Sequence, residues 1–103
     1  MAGKAKPVSI RTPDGSKMQT FAPLVSIGSW VKNDIALDDA SVSQRHALIA
    51  NFPNDVWLYD LGSTRGIQVD GDAVRGRAFL DGVHRVTVGC IEVEVGACAD
   101  LLV

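Results

Sequence analysis

The sequence lacks the features that mark helical, membrane and nucleic-acid-binding proteins. No apolar run approaches the roughly 18 to 20 residues that span a bilayer, and no apolar stretch follows the basic first residues as in a secretory signal, so we expect a cytoplasmic protein. A net charge of −2 and scattered Lys and Arg residues argue against nucleic acid as a partner. Cys90 and Cys98 form no close pair, and we interpret them as small apolar filler residues kept reduced.

The 103 residues contain many short β-forming segments separated by turn residues. Pro13-Asp14-Gly15-Ser16 and Asp70-Gly71 are hairpin signals, and Ile91 to Val95 alternates apolar and acidic residues. Val56 to Tyr59 is apolar on both faces, so we expect it deep in the fold. The pattern predicts one all-β domain over residues 1–103, a two-sheet antiparallel sandwich of about 10 to 11 strands with its core at about 8–95. The predicted strands are 8–11, 17–21, 24–27, 35–37, 47–51, 56–59, 66–69, 79–80, 85–88 and 91–95. The role of the apolar tail, residues 96–103, stays open.

Three segments place polar residues and glycines in loops, where a sandwich usually carries its function. They are Ile27 to Ile35 (IGSWVKNDI), Val42 to Ala47 (VSQRHA) and Asp60 to Gly66 (DLGSTRG). In order and spacing they resemble the signature of the forkhead-associated (FHA) family, which runs Gly-Arg, Asn-Asp-Ile, Ser-x-x-His and Gly-Ser-Thr-Asn-Gly. Leu80-Asp81-Gly82 and Val88-Gly89 match two later family motifs, so the resemblance covers roughly Val25 to Val95.

The resemblance implies a sandwich whose loops at one end bind a phosphothreonine peptide in signalling. In the family, the Ser of Ser-x-x-His bonds the phosphate, and that residue is Ser43 here. The family's arginine after the first Gly is replaced by Ser29, and its asparagine in the last motif is replaced by Arg65. Adding the nearby cations and the turn hydroxyl, the predicted phosphopeptide-binding residues are Ser29, Lys32, Ser43, Arg45, Thr64 and Arg65.

The two replacements leave two interpretations of the function. A charged hydrogen bond contributes on the order of 1.5 to 3 kcal/mol, so its loss predicts a degenerate domain that contacts a protein independently of phosphorylation. Alternatively, Arg65 and other loop cations restore the charge, and phosphothreonine recognition persists. Lys32 and Arg45 fit either a binding role or plain solvated cations. Trp30 is either an exposed anchor for a partner or a residue packed against the sandwich end.

Other residues of these loops have a structural interpretation. Glycines suit tight turns in which a Cβ would clash, and short hydroxyl and amide side chains bond nearby backbone. We interpret His46 as a buried hydrogen-bonding strut rather than a ligand contact. The predicted structural residues are Gly28, Asn33, His46, Gly62, Ser63 and Gly66.

The sequence gives little support for a catalytic site or a metal site. Ser43, His46 and Asp60 contain the residue types of a hydrolase, but no G-x-S-x-G motif is present. A zinc site drawn from the two histidines and two cysteines lacks close paired spacings, and Asp34, Asp38 and Asp39 do not follow a calcium-loop pattern. We therefore predict a non-enzymatic binding module without metal or cofactor. Its partner is a protein or a phosphothreonine peptide, not nucleic acid or a membrane, and its oligomeric state is open.

Overall fold

The computed structural model describes residues 7–53 and 55–97, in which the regular structure is all strand. None of these residues forms a helix long and apolar enough to cross a membrane. The eleven strands are β1 (Val8–Arg11), β2 (Lys17–Thr20), β3 (Leu24–Gly28), β4 (Ile35–Ala36), β5 (Ala47–Asn51), β6 (Val56–Asp60), β7 (Ile67–Val69), β8 (Asp72–Ala73), β9 (Arg77–Leu80), β10 (Gly82–Val88) and β11 (Ile91–Ala97).

The strands form two sheets, as the turn pattern predicts. The first sheet has the order β2-β1-β11-β10-β7-β8, and the second has the order β4-β3-β5-β6-β9. All pairs are antiparallel except β3 with β4, which run parallel. The loop between them returns the chain to the middle of β3, so β4 starts beside Ile27 and runs in the same direction. At this point Asp34 accepts the amide hydrogen of Ser26 at 2.9 Å. The all-β sandwich is confirmed, with one short parallel pair added.

The core lies between the sheets and consists mainly of branched aliphatic residues. Alternate residues of each strand point inward, as the pleat of a strand requires. In β10 and β11, for example, Val86, Val88, Val93 and Val95 are buried while Glu92 and Glu94 are exposed. The same alternation in β3, β5 and β6 buries aliphatic side chains of the second sheet against them. The fold is therefore held by apolar contact between two inner faces.

Two expectations from the sequence are wrong. In β6 only Leu58 is fully buried, whereas Trp57 and Tyr59 are half-buried on the outer face. The strand lies between β5 and β9 in its sheet, but its outer face is open because the sandwich has two layers. Cys90 is exposed at the turn between β10 and β11, so it is not an apolar filler, and Cys98 lies outside the described residues. Gly96 and Ala97 extend β11, and the rest of the tail also lies outside them.

The Asp70-Gly71 turn joins β7 to a short strand, β8, that the sequence did not indicate. Both residues have positive φ (52° and 90°), as a type I′ hairpin requires. The Asp70 carboxylate contacts Nδ1 of His84 at 2.6 Å and accepts the Arg85 amide hydrogen at 2.9 Å. These two bonds, of which the one to His84 contributes more, hold the pKa of Asp70 below its usual value.

Leu58→Ala should lower the free energy of unfolding by about 2 to 5 kcal/mol, because it removes a fully buried side chain from an interior strand of the second sheet. Leu61→Ala is the matched control, since Leu61 follows the same strand but is exposed, and it should cost much less. Urea unfolding of both variants checks the prediction, and equal losses would contradict this description of the core.

Candidate functional site

The three polar segments of the sequence meet at one end of the sandwich. We call this end the crest and define it as the loops 29–34, 37–46 and 61–66 together with the turn 89–90. β3 and β6 run towards it, and β5 and β7 start from it, so the loops are neighbours in space. The fold thus brings together residues that lie up to 61 positions apart in the sequence, from Ser29 to Cys90.

Gly28 lets the first two loops approach each other closely. A Cβ at this position would collide with the backbone carbonyl of Gln44 and lie 2.8 Å from Nδ2 of Asn33. The amide of Ser29 donates to the Ser43 carbonyl at 3.0 Å. Nδ2 of Asn33 donates to the carbonyls of Trp30 and Gln44, each at 2.8 Å. Asn33 and Gly28 therefore fix the backbone on which Ser29 and Ser43 are carried.

His46 is completely buried beneath the crest and links two of its loops. The Ser43 amide donates to Nδ1 at 3.0 Å, so the ring hydrogen belongs on Nε2, which donates to the Gly66 carbonyl at 2.7 Å. Both ring nitrogens are thus engaged by backbone groups. The imidazole holds the loops 37–46 and 61–66 at a fixed separation.

The loop 61–66 is shaped by short side chains that bond its own backbone. Oδ1 of Asp60 accepts the Ser63 amide hydrogen at 3.1 Å, and Oγ of Ser63 accepts the Gly66 amide hydrogen at 2.9 Å. Gly62 and Gly66 have φ values of 77° and 80°, which favour glycine. The amide of Thr64 then donates to Oγ of Ser43 at 3.2 Å. This last bond joins the tip of the loop to the serine of Ser-x-x-His.

The cations of the crest fall into two groups. The Arg45 guanidinium lies 5.1 Å and the Lys32 ammonium 6.0 Å from the centre of the Trp30 ring, both within cation-π range. Trp30 is itself exposed, so it holds these cations at the surface and is not buried in the sandwich end. Arg65 lies in the other group, where its Nη1 donates to Sγ of Cys90 at 3.6 Å.

Three residues near Arg65 were not predicted as part of this site: Ser41, Asp39 and Cys90. Oγ of Ser41 donates to Asp39 at 2.7 Å and accepts the Cys90 amide hydrogen at 2.8 Å, so Ser41 ties the loop 37–46 to the turn 89–90. The Ser41 hydroxyl and amide, with a smaller contribution from the charge of Arg65, hold the pKa of Asp39 below its usual value. Ser41 and Asp39 belong to none of the sequence motifs, and only the neighbouring Val88-Gly89 pattern pointed to this turn.

A family model for the FHA domain matches residues 25–91, which include every loop of the crest. The chain belongs to the FHA family. Solved FHA structures have the same fold. Mycobacterium tuberculosis EmbR in complex with a low-affinity phosphopeptide superposes with a TM-score of 0.82 at 25% identity, covering 88% of this chain and 24% of that one. The FHA domain of FhaA, complexed with the intracellular domain of Rv3910, gives 0.78 at 28% identity, covering 85% of this chain and 98% of that one.

Curated relatives match this FHA domain in part of their length. The transcriptional regulatory protein EmbR of Mycobacterium tuberculosis is 38% identical over 64 residues, which are 61% of this chain and 16% of EmbR. The glycogen accumulation regulator GarA of Mycolicibacterium smegmatis is 33% identical over 82 residues, which are 79% of this chain and 52% of GarA. The chain therefore spans a sixth of the one relative and about half of the other.

In this FHA domain, a catalytic triad is not formed by Ser43, His46 and Asp60, the three residue types of a hydrolase. A triad needs a histidine nitrogen free to take the proton of the serine hydroxyl. Both nitrogens of His46 are engaged by backbone groups, and Asp60 accepts a bond from Ser63. Over residues 7–53 and 55–97, moreover, no three His, Cys, Asp or Glu side chains cluster as a metal site would need.

Gly66→Val should lower the free energy of unfolding of this FHA domain by about 1 to 3 kcal/mol, because a β-branched residue is strained at positive φ. No atom lies within 4 Å of a Cβ built there, so strain and not collision carries the loss. Gly66→Asn is the control and should lose less, since asparagine tolerates this region. Thermal melting measures both, and an unchanged midpoint for Gly66→Val would contradict the assignment.

Proposed function

We propose that this FHA domain is a non-catalytic interaction module whose crest binds phosphothreonine peptides. The residues assigned to the ligand are those that the sequence indicated: Ser29, Lys32, Ser43, Arg45, Thr64 and Arg65. The proposal concerns the crest alone, since the chain spans only part of its curated relatives.

The position of the Ser43 hydroxyl is the observation that carries the proposal. Its oxygen accepts the Thr64 amide hydrogen at 3.2 Å, while the Ser43 amide is held by His46. No described residue receives a hydrogen bond from this hydroxyl, so its hydrogen is available to a ligand. Ser43 is half-buried and therefore placed by its surroundings rather than freely rotating in water. A fixed hydroxyl donor at an open crest suits a phosphate oxygen.

The charge of the crest supports the same ligand. A phosphothreonine carries about −1.5 to −2 charges at neutral pH and three strong acceptor oxygens. Lys32, Arg45 and Arg65 are exposed cations on the loops that surround Ser43. A peptide reader of this kind uses short polar loops and charge-assisted hydrogen bonds. The likeness to EmbR, which was solved with a phosphopeptide, supports the same assignment.

One observation favours a second candidate, binding that does not depend on phosphorylation. The residue after Gly28 is Ser29, which has no charge, and the Arg65 guanidinium donates to Sγ of Cys90. For Arg65 to reach a phosphate at Ser43, this weak contact to sulfur has to break. The free-energy cost is small, because a thiol is a weak acceptor. We therefore rank this candidate second.

The test compares phosphothreonine peptides with unphosphorylated twins by fluorescence anisotropy. Wild type should prefer the phosphorylated peptide. Ser43→Ala should weaken its binding through loss of a hydroxyl donor, and Arg65→Ala should abolish it through loss of a charged bond contributing up to about 3 kcal/mol. Ser29→Arg should strengthen it by a bond of the same kind. Added salt should weaken binding, because exposed charges are screened.

Arg85→Ala is the matched control, since Arg85 is an exposed arginine on a strand of the first sheet, away from the crest. It should leave peptide binding unchanged. If wild type bound both peptides equally weakly, and only Ser29→Arg acquired a preference for phosphate, the second candidate would be correct. No preference in wild type together with no effect of Arg65→Ala would remove phosphate recognition from the account.

A further inference from the structure

The outer face of the second sheet is more apolar than a solvated face should be. Its outward residues in β3, β5, β6 and β9 form what we call the aromatic face: Leu24, Ser26, Leu48, Ala50, Trp57, Tyr59, Arg77 and Phe79. Leu24 and Phe79 are 54% and 49% exposed. Antiparallel sheets usually place polar residues on the side that faces water, and large exposed apolar patches mark interaction sites.

The first sheet provides an internal comparison, because its outer face is polar. Arg11 pairs with Glu94 at 3.8 Å and Arg85 pairs with Glu92 at 3.5 Å, and all four side chains are well exposed. Val83 is an isolated exposed hydrophobic residue on β10. The apolar character is therefore specific to one side of the sandwich, and the lack of a third layer in the fold does not explain it.

The side chains of the aromatic face are ordered against one another. Trp57 and Phe79 are cross-strand partners whose rings meet edge to face at 5.4 Å. The Arg77 guanidinium lies 4.9 Å from the centre of the Trp57 ring. Ala50, which pairs with Trp57 and Leu24, is only 2% exposed, so the larger neighbours close over it. The face offers a preformed surface of aromatic edges and one cation.

This face is continuous with the crest. A groove of about 400 Å³ lies between Trp30, Arg45, Leu48 and Leu61, and Leu48 also belongs to the aromatic face. From Gly28 at the crest to Leu24 the strand advances four residues, about 13 Å. An extended peptide bound at the crest reaches the face with a flank of about four to eight residues.

The charged residues on and around the aromatic face indicate which kind of partner fits it. Arg77 is the charged residue of the face, and Lys32 and Arg45 stand at its crest end on Trp30. Three acids are near: Asp34 is held by the amide and hydroxyl of Ser26, and Asp55 before β6 and Asp81 after β9 lie at the far end. The cations therefore lie in the half of the face nearest the crest, and an acidic segment that leaves the crest over this face would neutralise them.

We propose that the aromatic face binds the segment that flanks the phosphothreonine in the partner chain, and that this segment is apolar and acidic. The inference rests on the proposed function, because it takes the crest as the anchor of the same peptide. Its energetic basis is the burial of Leu24, Trp57 and Phe79 beneath the flank, with Arg77 against a carboxylate.

The experiment uses three phosphothreonine peptide libraries and the whole chain. The short library has three residues on each side of the phosphothreonine. Two longer libraries add ten positions at both ends, drawn either from Asp, Glu, Leu and Phe or from Lys, Ser and Asn. Wild type should bind the acidic-apolar library about five- to tenfold more tightly than the short one, and the basic-polar library should gain nothing.

Phe79→Asp should remove the gain from the acidic-apolar flank and leave binding of the short library unchanged. Leu24→Asp repeats the test at a second exposed position. Val83→Asp, at a 59% exposed hydrophobic residue of the other sheet, is the matched control and should keep the gain. Thermal melting verifies that each variant is folded.

The outcomes separate the two proposals. Binding of the short library with no gain from the acidic-apolar flank, or a gain that Val83→Asp also removes, would overturn the aromatic-face proposal while leaving the proposed function intact. Failure of the short library would remove the proposed function and with it the anchor on which this inference rests. Sedimentation should show wild type as a monomer, and a dimer that Phe79→Asp dissociates would show that the face binds a second copy instead.

Discussion

The arrangement of the crest depends on the buried imidazole of His46. Its two nitrogens satisfy the Ser43 amide and the Gly66 carbonyl, two backbone groups that belong to different loops. A buried polar group without a partner costs on the order of 1 to 3 kcal/mol, so each loop is held where the ring can reach it. The Ser43 hydroxyl meets the Thr64 amide because this separation is fixed. The proposed recognition by the crest therefore depends on a ring that is completely buried beneath it.

The cations of the crest differ from this rigid frame in how they are held. Lys32 and Arg45 rest on the Trp30 ring and Arg65 rests on Cys90, and none of these contacts is a strong hydrogen bond or an ion pair. Such contacts set an approximate position and give way at small cost when a doubly charged ligand arrives. We propose that a fixed hydroxyl with adjustable charges compensates for the serine that stands in place of the family's arginine at Ser29.

Sequence reasoning reached the fold through local patterns, and it reached the membership of the crest through the resemblance to the FHA family. Alternation in β11, the Asp70-Gly71 turn and the Ser-x-x-His spacing each have one structural meaning. It failed for Trp57 and Cys90 because exposure depends on how many layers the fold has and where a turn falls. The direction of Arg65 depends on Ser41, Asp39 and Cys90, which only the tertiary structure brings together. The aromatic face was hidden for the same reason, since its members come from four strands.

Amide chemical-shift mapping tests the central claim most directly. A phosphothreonine peptide titrated into the labelled domain should shift the amide signals of Ser29, Ser43 and Thr64 in a saturable way, and its unphosphorylated twin should leave them in place. The fixed frame beneath should respond little, as the amide of His46 already donates to the Ile27 carbonyl at 2.9 Å. Equal shifts with both peptides, or shifts confined to the opposite end of the sandwich, would contradict the assignment of the crest as a phosphothreonine site.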